Sequence, residues 1–273
     1  MKQLWPEELE GFLKEHGEAE YTLVDVREVE EYEAEHMPGS ICIPALELSS
    51  RVHELDPSRK TVFICERGAK SLATAIIFEQ KVAPKGTVYN LMGGLDAWMG
   101  RLAYGLPKMR LVGLHDDLPR MLVSAMDLEK GAWKFYQKLE KVMPQEGPVQ
   151  LVRRLAAIEV SHINLLYARL KRIDPKAPNS VTLINSLPGS LAEGGESVAL
   201  LFKGMADGDL GWESLFEVAL EVEMAAYELY RGLAARLSGD DADAFFALAQ
   251  AEKEHIRLLL GELDERAGKV LWI

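Results

Sequence analysis

Cysteine is scarce: Cys42 and Cys65 are the two thiols among 273 residues. That excludes a disulfide-stapled scaffold, and it excludes any module built on paired Cys-x-x-Cys metal sites. Positive charge is also short, with 31 lysines and arginines against 43 acidic residues, for a net charge of -12. Nucleic acids and anionic membranes attract basic surfaces, so neither is expected as a partner. No apolar run reaches the length of a membrane span, and the N-terminus lacks the charged-then-apolar pattern of a secretion signal. The expected location is therefore cytoplasmic, where a structural disulfide between Cys42 and Cys65 is not expected. The remaining composition is that of a globular protein, 48% hydrophobic, and the length allows two domains with a core each.

The second half of the chain is organised around a stretch that recurs. Glu159 precedes His162 by three residues, and Glu252 precedes His255 by the same interval. On a helix that offset sets carboxylate and imidazole side by side. Upstream of each pair stands a further glutamate. Glu129 is followed by Trp133 at four residues and Tyr136 at seven; Glu223 is followed by Tyr227 and Tyr230 at the same offsets. A third Glu-x-x-His, Glu33 and His36, runs into Pro38-Gly39 and lacks the long apolar-periodic setting of the other two. The order Glu, Glu-x-x-His, Glu, Glu-x-x-His is an internal duplication.

Four glutamates and two histidines from four helices are the ligand set of a carboxylate-bridged dinuclear metal site in a bundle core. Oxygen and nitrogen donors without thiolate suit two divalent first-row ions. From about Asp116 to the C-terminus the chain resembles the rubrerythrin branch of the ferritin-like superfamily. The resemblance implies an all-α four-helix bundle over 118–273 and two iron ions held by Glu129, Glu159, His162, Glu223, Glu252 and His255, with other divalent first-row metals also accommodated. In the competing reading the inward glutamates are merely paired, but carboxylates facing one another in a core are costly without a cation. Helices are expected at about 118–142, 148–172, 212–237 and from 239 to about 267, with a long crossover at 174–211 that holds a further helix near 191–203. The apolar tail Val270–Ile273 is expected to dock on its own bundle or on a second subunit, and a homodimer through the bundle is considered.

In the first half, strand-like and helix-like stretches alternate over 1–105, which predicts an α/β domain with a parallel sheet and helices on both faces. Cys65 ends the β-rich run Thr61–Ile64 and is followed by Glu66, Arg67, Gly68, Ala69, Lys70 and Ser71. Such a loop, opening a helix, turns backbone N–H groups inward and stabilises a thiolate or a bound anion. Asp25-Val26-Arg27, His36-Met37-Pro38-Gly39, Cys65–Ser71 and Asn90–Trp98 together resemble a rhodanese homology domain. The resemblance implies sulfur transfer: Cys65 takes a sulfane sulfur from a donor, holds it as a persulfide and passes it to a thiol acceptor or cyanide. Arg67 and Lys70 are then the catalytic cations, and Glu66, Gly68, Ala69 and Ser71 complete the anion-binding loop. The family often carries arginine where Lys70 stands, which changes a planar fork into a point charge. A phosphatase loop would need Arg where Ser71 stands. Cys42, between Ile41 and Ile43, reads as a packing residue shielded in its strand.

Residues 106–117, with Pro107 and Gly113, read as a linker. The function expected is a two-domain sulfur and redox protein: persulfide-forming sulfur transfer at Cys65 and peroxide or dioxygen reduction at a di-iron centre. The alternative is an iron-binding protein with a non-catalytic rhodanese docking module. Many rubrerythrins carry a cysteine-ligated electron-supplying module, and two cysteines cannot build one. Electrons must then come from a separate donor protein or from thiol chemistry at Cys65.

Overall fold

The computed structural model describes residues 1–98, 107–112, 117–144, 147–206 and 212–267. The chain divides into two compact units, Met1–Leu106 and Pro107–Val270. Residues 106 and 113–116 of the expected linker and the tail Val270–Ile273 lie outside the described residues.

The first unit is a parallel sheet. Strands β1 (Lys2–Leu4), β2 (Tyr21–Asp25), β3 (Ser40–Cys42), β4 (Lys60–Ile64) and β5 (Val88–Leu91) lie in the order β1-β5-β4-β2-β3. All pairings are parallel, with Leu23 opposite Val62 and Thr61 opposite Val88. Helices α1 (Pro6–Glu15), α2 (Val29–Ala34), α3 (Leu48–Arg51), α4 (Ala69–Val82) and α5 (Gly94–Ala97) fill the connections. The two-residue period of the central strands sorts their side chains onto opposite faces. Val62 and Ile64 join a core with Leu9, Phe12, Tyr21 and Trp98, while Phe63 and Cys65 join another with Val24, Phe78 and Val88. The end of the central strand β4 therefore presents the thiol at the start of α4.

The second unit is helical: α6 (Leu118–Val142), α7 (Val149–Ile173), α8 (Ser180–Ser186), α9 (Val198–Ala206), α10 (Trp212–Ala234) and α11 (Gly239–Ala267). Asp117 caps α6 by accepting from the Arg120 amide. Helix α6 packs along α7, α10 along α11, and α7 meets α11. The buried face of α6 carries Leu122, Ala125, Met126, Glu129, Ala132, Tyr136 and Leu139, and that of α7 carries Leu155, Glu159, His162, Ile163 and Leu166. Both stripes follow the helical period. The crossover departs from expectation. The helix expected near 191–203 begins only at Val198, because Leu191 bridges Ser197 as an antiparallel pair around Gly194 and Gly195, which no helix accommodates. Among the described residues no helix is long and apolar enough to cross a membrane.

Candidate functional site

In the helical unit the six expected ligands meet in the core, each at most 6% exposed. His162 Nδ1 lies 3.0 Å from Glu129 Oε2, 3.1 Å from Glu159 Oε2 and 3.1 Å from Glu252 Oε1. His255 Nδ1 lies 3.0 Å from Glu223 Oε2, 3.0 Å from Glu252 Oε2 and 3.3 Å from Glu159 Oε1. Glu159 and Glu252 thus send one oxygen to each imidazole, while Glu129 and Glu223 each serve one. The two rings stack at 5.2 Å. The Tyr136 hydroxyl, on α6, donates to Glu223 on α10.

This arrangement is unlike a paired network. A ring nitrogen carries at most one hydrogen and cannot satisfy three carboxylate oxygens. Glu129 Oε1, both oxygens of Glu159 and Glu252, and His255 Nε2 have no hydrogen-bond partner among the described residues. Such orphaned buried polar atoms each carry a desolvation cost unless something further binds them. A donor set of carboxylates and imidazoles converging in two overlapping groups, with Glu159 and Glu252 common to both, fits a pair of divalent cations. The electrostatics reflect the crowding. Burial pushes Glu159 well above the usual carboxylate range, and the charge of Glu252 adds to the push. Glu223 is pushed up to about 7 by burial, against the pull of His255. Glu252 goes the other way: burial opposes its charge, yet His162 and His255 hold it below the usual range. Burial disfavours charge on the imidazoles, but Glu252 and Glu129 outweigh it and raise His162, and Glu223 and Glu252 raise His255 to about 12.

Glu193 is the residue that spacing does not disclose. It lies in the crossover, fully buried, and offers a carboxylate oxygen to the group formed with Glu129, Glu159 and Glu252, all within 4.8 Å of one another. The available signal was Gly131, a glycine inside a helix two residues after Glu129, where a Cβ would meet the Leu191 carbonyl of the crossover.

In the first unit Cys65 stands just past β4 and is 3% exposed. Its Sγ accepts from the Gly68 amide at 3.1 Å and the Ser71 amide at 3.3 Å, and lies 3.2 Å from Ser71 Oγ. Ser71 Oγ donates to Asn90 Oδ1 at 2.7 Å, and Asn90 Nδ2 donates to Gln3 on β1 at 2.9 Å. The loop is fixed from below. Gly68 has φ +85°, and a Cβ there would stand 2.9 Å from Gly93 N and Leu91 O; at Gly94, φ +60°, a Cβ would stand 2.1 Å from Cys65 O. The Leu95 and Asp96 amides donate to the carbonyls of Cys65 and Glu66. Just past the neighbouring strand β2, buried Arg27 grips Asp25 through Nε and Nη2 and donates to Glu35 O at 2.7 Å.

A family model described as "Rhodanese-like domain" matches residues 6–101. Thiosulfate sulfurtransferase GlpE of Pseudomonas syringae is 30% identical over 98 residues, 36% of this chain and 86% of that protein. The chain belongs to the rhodanese-like family. Two further relatives match over shorter shares of their own length. The Bacillus subtilis protein YrkF, named for sulfur carriage, is 34% identical over 94 residues, 34% of this chain and 50% of that one. The HTH-type transcriptional regulator Rv0324 of Mycobacterium tuberculosis is 51% identical over 105 residues, 38% of this chain and 41% of the regulator. The chain thus spans half or less of these two curated relatives. The family model ends before α6, so the helical unit rests on its own geometry.

Within the rhodanese-like domain the expected site residues separate into two sets. Gly68 and Ser71 address the sulfur directly. Glu66, Arg67, Ala69 and Lys70 are exposed on the outer side of the loop, where Arg67 faces Glu66 at 3.6 Å. Cys42 corrects one expectation. It ends the edge strand β3 and is partly exposed, more open than Cys65, so shielding is not what sets the two thiols apart. Its thiol differs chemically: burial, then the nearby Asp25 charge, pushes it up to about 11.

Proposed function

We propose that this chain is a two-domain sulfur and redox protein, with a persulfide-forming sulfurtransferase at Cys65 and a two-metal carboxylate centre of the ferritin-like, rubrerythrin kind that reduces peroxide or dioxygen. The observation that carries the metal centre is the pair of Nδ1 atoms, each with three carboxylate oxygens within 3.3 Å. The sulfur half is supported by the family match and by the donors that converge on Cys65 Sγ.

In sulfur transfer, the Cys65 thiolate attacks the outer sulfur of thiosulfate, forming a Cys65 S–S bond and expelling sulfite. A thiol acceptor or cyanide then takes that sulfur and returns the thiolate. The Gly68 and Ser71 amides hold the negative sulfur in place, because an anion among backbone N–H groups at a helix start is stabilised. Arg67 and Lys70, exposed in the loop and at the start of α4, would attract an anionic donor by their charge.

In the helical unit Glu129, Glu159, His162, Glu223, Glu252 and His255 would hold two iron ions. Bound iron supplies single-electron steps and Lewis acidity, and reduction of one peroxide to two waters takes two electrons from a separate donor and two protons. Tyr136 fixes the Glu223 carboxylate from the opposite helix pair. Leu122, Phe135, Leu139, Leu155 and Leu166, on the helices that carry Glu129, Glu159 and His162, are fully buried and make this core apolar.

One preparation tests both halves. After anaerobic Fe(II) loading and desalting, metal analysis should give two ions per chain. Thiosulfate-to-cyanide transfer should be lost in Cys65→Ser, and peroxide consumption with a chemical reductant should be lost in Glu159→Ala. Absence of bound metal in the wild type refutes the helical half; transfer that persists in Cys65→Ser refutes the sulfur half.

A further inference from the structure

The duplicated helices make a two-fold symmetric ligand set, and the crossover breaks it. The connection between α6 and α7 covers only residues 143–148, whereas that between α7 and α10 covers 174–211 and has no counterpart in the repeat. It is fastened to α6 at several points. Lys130 Nζ donates to Ile184 O at 2.7 Å and Leu187 O at 2.8 Å, Lys134 Nζ donates to Pro188 O at 2.5 Å, and the Gly189 amide donates to Asp127 Oδ1 at 2.6 Å. Gly131 lets the crossover backbone lie against α6, since a Cβ there would stand 1.7 Å from Leu191 O. On the other side, a Cβ at Gly194 would stand 2.9 Å from Ala225 Cβ of α10. The segment is thereby wedged between the helices that carry Glu129 and Glu223.

What it carries inward is a carboxylate. Glu193 is fully buried, its Oε2 has no hydrogen-bond partner among the described residues, and its Oε1 lies 3.5 Å from the Tyr230 hydroxyl. Its oxygen groups with those of Glu129, Glu159 and Glu252 within 4.8 Å. Glu129 belongs to the His162 side and the other two are shared by both sides, so the added carboxylate favours the His162 side.

We propose that Glu193 is a seventh metal ligand, delivered by the crossover to the His162 half of the pair, and that it makes the two half-sites unequal. The proposal rests on the two-metal reading above. The His162 half then has the extra negative donor and fills first with a hard dication; the His255 half fills second.

Anaerobic titration with Co(II) tests this through visible absorption and calorimetry, without reference to turnover. The wild type should bind two ions in two resolved steps. In Glu193→Gln and Glu193→Ala two ions should still bind, but the tighter step should weaken by roughly tenfold or more and approach the other. Gly131→Ala leaves all six helix ligands in place yet expels the crossover, and should give the same collapse. Glu193→Asp should recover part of the difference. Circular dichroism matched to the wild type identifies the variants that retain the fold, and the glutamine variant preserves the side chain's volume. Two steps that stay unchanged in Glu193→Gln overturn the proposal while leaving the two-metal reading intact, and so do two equal steps in the wild type. No Co(II) binding by the wild type overturns both together.

Discussion

At pH 7, Cys42 should alkylate roughly 300-fold more slowly than an unperturbed thiol. Its Sγ donates to the Arg27 carbonyl at 3.8 Å, and burial, followed by the Asp25 charge, pushes the thiol up to about 11. A raised thiol pKa favours the neutral form, and only the thiolate attacks an alkylating agent. With the value near 11, about one molecule in 10,000 is thiolate at pH 7, against roughly 3% for an ordinary cysteine near 8.5. The ratio of those fractions is the expected slowing. The rate should rise about tenfold per pH unit from 7 to 10 and level off only near 11. Iodoacetamide added to Cys65→Ser protein isolates Cys42, and quenched time points read by peptide mass spectrometry give the rate at each pH. Labelling at the rate of a free thiol at pH 7, with a plateau below pH 9.5, would refute the reasoning. The difference between the two cysteines would then have to come from something other than the charge state of Cys42.

Sulfur transfer should survive Cys42→Ser and vanish in Cys65→Ser, measured as thiocyanate formed from thiosulfate and cyanide. Gly94→Ala should destabilise the rhodanese-like domain by about 2–4 kcal/mol, because it adds a left-handed conformation to a clash with the Cys65 carbonyl; urea unfolding checks this, and transfer should fall as the Cys65 loop shifts. Metal loading should raise the melting temperature of the wild type and leave that of Glu252→Ala nearly unchanged, since a ligand stabilises only the state that binds it. Co(II) affinity should rise between pH 6 and pH 8. His162 and His255 are raised and hold protons in the metal-free protein, and each must shed one to offer Nδ1, so calorimetry in two buffers should show roughly one proton released per imidazole.

Helices α6 and α7 were legible because punctuation and period agree. Pro144 and Gly147 stop the first, and the buried residues of both recur at the helical spacing. Helix α8 was not, for the opposite reason: none of its residues is buried, so it carries no apolar stripe to read. Strand β1 escaped too. Three residues with one buried side chain, Leu4, leave no alternation, and the strand exists because β5 offers it a parallel edge. In the loop after Cys65 the sequence pattern showed the turn whose amides face the sulfur but not its floor. Asn90 and Gln3 reach Ser71 through tertiary pairing of β5 with β1, a relation that no local spacing encodes.

The helical carboxylates and imidazoles that converge in the core were legible because duplication prints the same spacing twice, and Glu193 was not because it belongs to the one segment the duplication does not repeat. That difference is physical. A ligand on a helix must keep to the helical period, so it leaves a mark at three, four and seven residues. A ligand on a crossover is placed by contacts: Lys130 and Asp127 hold the chain, and Gly131 and Gly194 make room for it. Those contact residues are scattered, and each has an ordinary reading alone. A charged residue on a helix reads as solvated surface and a glycine within a helix as a weak point. Their meaning appears only when the crossover lies across them. A two-fold symmetric pair of half-sites would have no inherent reason to treat two ions differently. The asymmetric segment supplies one, because Glu193 stands in a group with Glu129 that does not include Glu223. Reversing the asymmetry is therefore a stricter demand than abolishing it. Adding a glutamate that faces Glu223 in a Glu193→Gln background should make the His255 half the tighter one, and an unchanged order of filling would refute the idea that one added carboxylate sets it.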